Sequence, residues 1–122
     1  MKLLIVDDSS VIRSRIARVS GDSDLPELNI VGLAKNGHEA IRICKALLPD
    51  LVTMDLTMPE MDGVSCIKEL IAQHPTINIL VISALSDKST AIQALKLGAR
   101  GFINKPFSDK QLVDALLEFV DQ

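Results

Sequence analysis

Short apolar runs alternate with longer stretches in which apolar residues recur every three or four positions, and the alternation repeats about five times. The runs are Lys2 to Val6, Leu28 to Leu33, Leu51 to Met54, Asn78 to Ile82 and Gly101 to Ile103. Several are apolar without interruption, as expected of strands covered on both faces. Between them stand Ile12, Ile16 and Val19; Ile41, Cys44 and Leu48; Val64, Ile67 and Leu70 or Ile71; Ile92 and Leu95; and Leu112, Leu116 and Val120. This spacing predicts five amphipathic helices, each laying one stripe on a sheet. Strands alternating with helices predict a parallel α/β sheet. Gly98 is placed to close the fourth helix, and Ser108 with Gln111 forms a capping box that opens the fifth. Gly21 to Pro26 and Asn36-Gly37 supply turn chemistry around the second strand.

Composition narrows the classes of function. The chain has 122 residues, 48% of them hydrophobic and 24% charged, which fits one domain over residues 1–122. A domain of this size buries roughly two-thirds of its unfolded surface and needs no disulfide or structural zinc. There is no Trp or Tyr and only three Phe, so stacking platforms for single-stranded nucleic acid are missing. A net charge of −3 is no footprint for a polyanion, so no nucleic-acid partner is expected. The apolar runs fall far short of the roughly twenty residues that cross a bilayer. Asp7 and Asp8 interrupt the N-terminal apolar run that a signal peptide would need. Cys44 and Cys66 match no metal or redox spacing and read as small buried hydrophobes. The expectation is a cytoplasmic domain without a membrane partner.

Candidate chemistry gathers where the strands end. In an open parallel sheet, residues at the strands' C-terminal ends share one edge, where ligands bind. Asp7 and Asp8 follow the first predicted strand, Asp55 the third, Ser83 the fourth and Lys105 the fifth. They converge if the second strand is displaced to the outside, giving the order 2-1-3-4-5 of flavodoxin-like doubly wound folds. Three close carboxylates repel one another unless a cation sits among them. A hard divalent ion resolves the repulsion, and Mg2+ suits a few carboxylates combined with a phosphate oxygen. The plainer alternative is that Asp7 and Asp8 only cap a helix. Lys105 has two readings as well, a structural ion pair with one Asp or a point charge for a phosphoryl oxygen.

These residues resemble the receiver domains of two-component response regulators. The likeness rests on LLIVDDSSVIR with its acidic pair, VTMDLTMPEMDG around Asp55, ILVISA ending in Ser83-Ala84, and GFINKPF with Lys105-Pro106. It implies that Asp55 accepts a phosphoryl group from the phosphohistidine of a histidine kinase or phosphotransfer protein. It further implies that Asp7, Asp8 and Asp55, with the Thr57 backbone carbonyl, hold Mg2+, and that Ser83 and Lys105 contact phosphoryl oxygens. The Lys105-Pro106 bond is expected to be cis, again by resemblance. Ser83 and Phe102 would form a switch that changes the face of the fourth helix, fifth strand and fifth helix, to which an output protein binds. Such a domain is a switch rather than an enzyme.

Three departures from common members bear on that switch. Phe102 stands where Tyr is frequent and brings no hydroxyl. Thr57 and Leu85 occupy positions that tune access of the hydrolytic water, and an apolar Leu85 implies a long-lived phosphoryl group. The irregular Gly21 to Pro26 suggests a longer loop before the second strand. An aspartate-nucleophile phosphatase is a poor rival, since it needs a second acid where this chain has Thr57. VTMDLTMPEMDG looks closest to chemotaxis and methylesterase-linked receivers. Starting at Met1 and closing on a helix, the chain is expected to be a free-standing chemotaxis-type regulator; the alternative is a receiver excised from a longer regulator.

Overall fold

Strands and helices alternate along the whole chain: β1 (Lys2–Val6), α1 (Ser10–Val19), β2 (Asn29–Ala34), α2 (Gly37–Leu47), β3 (Leu51–Asp55), α3 (Gly63–Gln73), β4 (Asn78–Ala84), α4 (Lys88–Leu97), β5 (Gly101–Lys105) and α5 (Asp109–Val120). The computed structural model describes residues 1–58, 61–84, 86 and 88–120. Leu85 and Pro59 lie outside the described residues. All strand pairs are parallel, in the order β2-β1-β3-β4-β5. This is the order the strand-end chemistry required.

Two apolar layers explain the uninterrupted strands. Leu3 and Ile5 of β1 pack with Ile16, Leu112 and Leu116 under α1 and α5. Leu4 and Val6, pointing to the opposite face, pack with Cys44, Ile67 and Ala94 under α2, α3 and α4. Both faces of the central strands are roofed, so both parities of residue there are mostly apolar. Cys44 and Cys66 are free and buried in the second layer, and burial pushes both thiols up, Cys66 to about 12.

Local signals end the helices much as the sequence implied. Ser108 Oγ accepts the Gln111 N–H at 3.0 Å while Gln111 Oε1 accepts the Ser108 N–H at 2.8 Å, the reciprocal capping box of α5. After α4, Gly98 takes φ +124° and the Ala99 N–H reaches back to the Ala94 carbonyl at 3.1 Å. Asn36-Gly37 opens α2 rather than making a free turn, because Asn36 Oδ1 accepts the Glu39 N–H at 2.9 Å. Gly21 to Pro26 is irregular, as expected.

The helix stripes differ in detail from the predicted ones. Ile92 is 44% exposed, and α4 instead buries Ala91 and Ala94, which let it sit close to its neighbours. Leu48 is not on the α2 stripe: it is the left-handed cap at φ 47°, 51% exposed. Large side chains dominate a periodicity count, whereas close helix packing selects small ones. β3, β4 and β5 also run further than predicted, to Asp55, Ala84 and Lys105. The ladder pairs Asp55 with Ile82, Ser83 with Asn104 and Ala84 with Lys105, so these polar residues are the strands' last rungs rather than loop residues. Among the described residues, no helix is long and apolar enough to cross a membrane.

Candidate functional site

The displaced β2 leaves β1 and β3 as neighbours, with Val6 opposite Met54, so Asp7 and Asp55 emerge side by side at one sheet edge. Asp7 is fully buried. Its N–H donates to the Ala34 carbonyl at 3.0 Å, its carbonyl accepts from the Arg13 guanidinium at 2.6 Å, and its Oδ1 accepts the Ser9 N–H at 2.9 Å. These contacts fix the turn into α1. Ser9, not Asp7 or Asp8, is the α1 cap, accepting from the Ile12 N–H at 3.3 Å. Capping therefore does not account for the acidic pair. Asp8 is exposed at the pocket mouth.

Lys105 reaches both buried acids from the edge strand. Its ammonium donates to Asp7 Oδ2 at 3.1 Å and to Asp55 Oδ1 at 3.4 Å, so it bridges two carboxylates rather than pairing with one. The peptide bond that follows it, Lys105-Pro106, is cis. Asp55 Oδ1 also accepts the Thr57 N–H at 3.2 Å. One carboxylate oxygen from each of Asp7, Asp8 and Asp55 lies within 4.8 Å of the others. Ser83 is buried one strand away in β4, in register with Asn104. Phe102 pairs with Val81, on the same side of the sheet as Ser83, and is 41% exposed.

Charge and burial work against each other here. Burial first, then the neighbouring Asp7 charge, raise Asp55 from the usual carboxylate value to about 6, while Lys105 and the Thr57 N–H oppose them. Burial pulls Lys105 down, but the charges of Asp55 and Asp7 outweigh it and leave the amine above its ordinary value. One ammonium faces three acids, so at neutral pH the pocket carries net negative charge.

Two buried oxygens in this pocket, Asp55 Oδ2 and Ser83 Oγ, have no hydrogen-bond partner. Buried polar atoms left in that condition are rare and point to a ligand that completes them. Three carboxylates as the donor set, one with an unsatisfied oxygen, fit a hard divalent cation of the Mg2+ type.

Gly63 sets the approach of α3. Its N–H donates to the Leu56 carbonyl at 3.0 Å, and a Cβ there would lie 2.6 Å from both the Asp55 carbonyl oxygen and Leu56 Cα. Only glycine lets the α3 start press against the end of β3.

Residues 3–117 match the model of the response regulator receiver domain. The chain belongs to the response regulator receiver family. This receiver is 39% identical over 116 residues to the chemotaxis protein CheY of Listeria monocytogenes, covering 95% of each chain. It is 41% identical over 115 residues to the chemotaxis protein CheY of Thermotoga maritima, covering 94% of this chain and 93% of that one. The response regulator domain of Thermotoga maritima CheB superposes with a TM-score of 0.83 at 31% identity, covering 100% of this chain and 94% of that one.

Within this receiver, the structure brings together Asp7, Asp8, Asp55 and Lys105, with Ser83 in the adjacent strand. Thr57 contributes its N–H to Asp55, and its residue as a whole is exposed. Leu85 lies outside the described residues. The sequence reading missed two supports: Arg13, which anchors the Asp7 carbonyl, and Thr53, whose buried Oγ1 has no partner two residues before Asp55. Only Thr53 had a legible signal, as the one hydroxyl inside an apolar run.

Proposed function

We propose that this receiver is a single-domain signalling switch, residues 1–122, in which Asp55 accepts a phosphoryl group from the phosphohistidine of a histidine kinase or phosphotransfer protein. The observation that carries this reading is the state of Asp55, a buried carboxylate at the end of β3 with one oxygen fixed by Lys105 and Thr57 and the other without a partner. The free oxygen is the nucleophile. As its bond to phosphorus forms, the bond from phosphorus to the histidine nitrogen breaks and the imidazole leaves with the electron pair. Asp55 attacks as the carboxylate, and with a value of about 6 it is mostly ionised at neutral pH.

Lys105 holds a positive charge where the transferred oxygens develop negative charge, and the Ser83 hydroxyl offers them a hydrogen bond. Asp7, Asp8, Asp55 and the Thr57 carbonyl would hold Mg2+, which supplies further positive charge and relieves the repulsion among the acids. The product adds charge to a pocket already rich in acids, so new partners are needed. Ser83 and Phe102 are the residues assigned to that response, and α4, β5 and α5 form the face offered to an output protein. The switch works in the cytoplasm beside its kinase and turns over no small substrate. A second reading has support in the likeness to the CheB domain across the whole chain, namely the same switch serving a covalently linked output.

The test is exposure of the protein to acetyl phosphate with and without Mg2+, read by intact mass. A gain of one phosphoryl group is expected in wild type with Mg2+ and not in Asp55→Asn. No gain in wild type overturns the reading.

A further inference from the structure

The proposed output face includes one edge of the sheet. β5 is the terminal strand, paired with β4 on one side and with no strand among the described residues on the other. The Asn78 N–H donates to the Asp50 carbonyl at 3.1 Å and the Leu56 N–H to the Ile82 carbonyl at 3.4 Å, so Asn78, Leu80 and Ile82 turn to β3 while Ile79, Val81 and Ser83 turn to β5. With Val81 facing β5 and standing opposite Phe102 in a parallel ladder, its bonding partners are Gly101 and Ile103, so the amide and carbonyl groups of those two residues turn to β4 and those of Phe102 and Asn104 turn to the open side.

Beside that edge runs a groove of about 410 Å³, walled by Gly101 and Ile103 of β5 and by Gln111, Asp114 and Glu118 of α5. The three α5 residues follow at steps of three and four and form one polar ridge with two carboxylates. Phe102, 41% exposed, flanks the groove as an aromatic anchor. Asp114 meets Lys110 at 3.0 Å in an exposed pair that is weak enough to exchange for another cation.

We propose that this groove binds an extended, basic peptide segment by strand addition. The segment's backbone pairs with the outward groups of Phe102 and Asn104, and its lysine or arginine side chains meet Asp114 and Glu118. Main-chain pairing supplies affinity in this mode, and alternate side chains supply selectivity. A second copy of the chain fits less well, because two-fold pairing of the same edge sets the α5 acids of one copy against those of the other. The inference deepens the reading of the α4, β5 and α5 face as the output face by naming the chemistry of its partner.

The probe is a synthetic peptide of about seven alternating valine and lysine residues, added to the unphosphorylated chain and followed by NMR and amide hydrogen exchange. Phe102 and Asn104 amides are expected to gain protection. N-methylation of alternate peptide nitrogens should weaken binding by about tenfold or more, and so should the double variant Asp114→Lys with Glu118→Lys. Absence of binding overturns the proposal, as does binding indifferent to both changes. Protection of Phe102 and Asn104 that appears without peptide and grows with protein concentration assigns the edge to a second copy and overturns it too. Phosphorylation plays no part in this measurement, so its failure leaves the mass test of Asp55 standing.

Discussion

Replacing Asp55 with Asn should stabilise the folded protein at neutral pH. The Asp55 side chain is 4% exposed, and its carboxyl is raised from 3.8 to about 6 even with Lys105 beside it. Two pKa units correspond to about 3 kcal/mol. Water at the pocket mouth, near exposed Asp8 and partly exposed Lys105, screens part of this, so about 2 kcal/mol is the working figure. A carboxyl raised on folding contributes stability that is fully present below about pH 4 and lost as the pH climbs through about 6. Asn keeps the shape and an acceptor for the Thr57 N–H but never ionises. The variant and wild type should therefore be similarly stable near pH 4 and separate progressively toward pH 7.5, with the variant ahead. Urea denaturation followed by far-UV circular dichroism suits a chain without Trp, and a gain of about 2 kcal/mol moves the midpoint by about 1 M. Added Mg2+ should narrow the gap by stabilising wild type. A gap that is absent at neutral pH, or equally large at pH 4, would refute the argument that ionised Asp55 is held at a cost.

Three further outcomes follow from the same contacts. Thr53→Val should raise stability by about 1 kcal/mol in urea titrations, because the buried Oγ1 has no partner and the flanking Ile5 and Leu80 are apolar. Lys105→Met should cost about 2 kcal/mol at pH 7 and much less near pH 4, since it leaves Asp7 and Asp55 without their shared cation; the same measurement across pH shows whether charge is the cause. Gly63→Ala should cost about 2 kcal/mol or more and slow phosphorylation of Asp55 by acetyl phosphate, since its Cβ would press on the backbone at Asp55 and Leu56.

Much of the fold was legible because its signals are local. The uninterrupted runs around Leu3, Leu51 and Ile79 reflect burial on both faces, and the Ser108–Gln111 box and Gly98 announce helix ends through contacts a few residues long. The α4 stripe was misread because Ala91 and Ala94, rather than Ile92, meet the sheet, a choice made by how closely the helix packs. Arg13 escaped notice because a surface-type residue gives no hint that it will bind the Asp7 carbonyl.

The sequence alone determined the alternation of strands and helices, the acidic and basic residues at the strand ends and the family to which they belong. Tertiary structure decided that Lys105 bridges Asp7 and Asp55 across β4, that Asp55 Oδ2 and Ser83 Oγ are left without partners, and that β5 stands at an open edge beside the acids of α5. Periodicity and capping act over one or two turns of chain and can be read in line. Convergence of residues 7, 55, 83 and 105 depends on which strands become neighbours, and that is settled only when the two apolar layers close around the sheet.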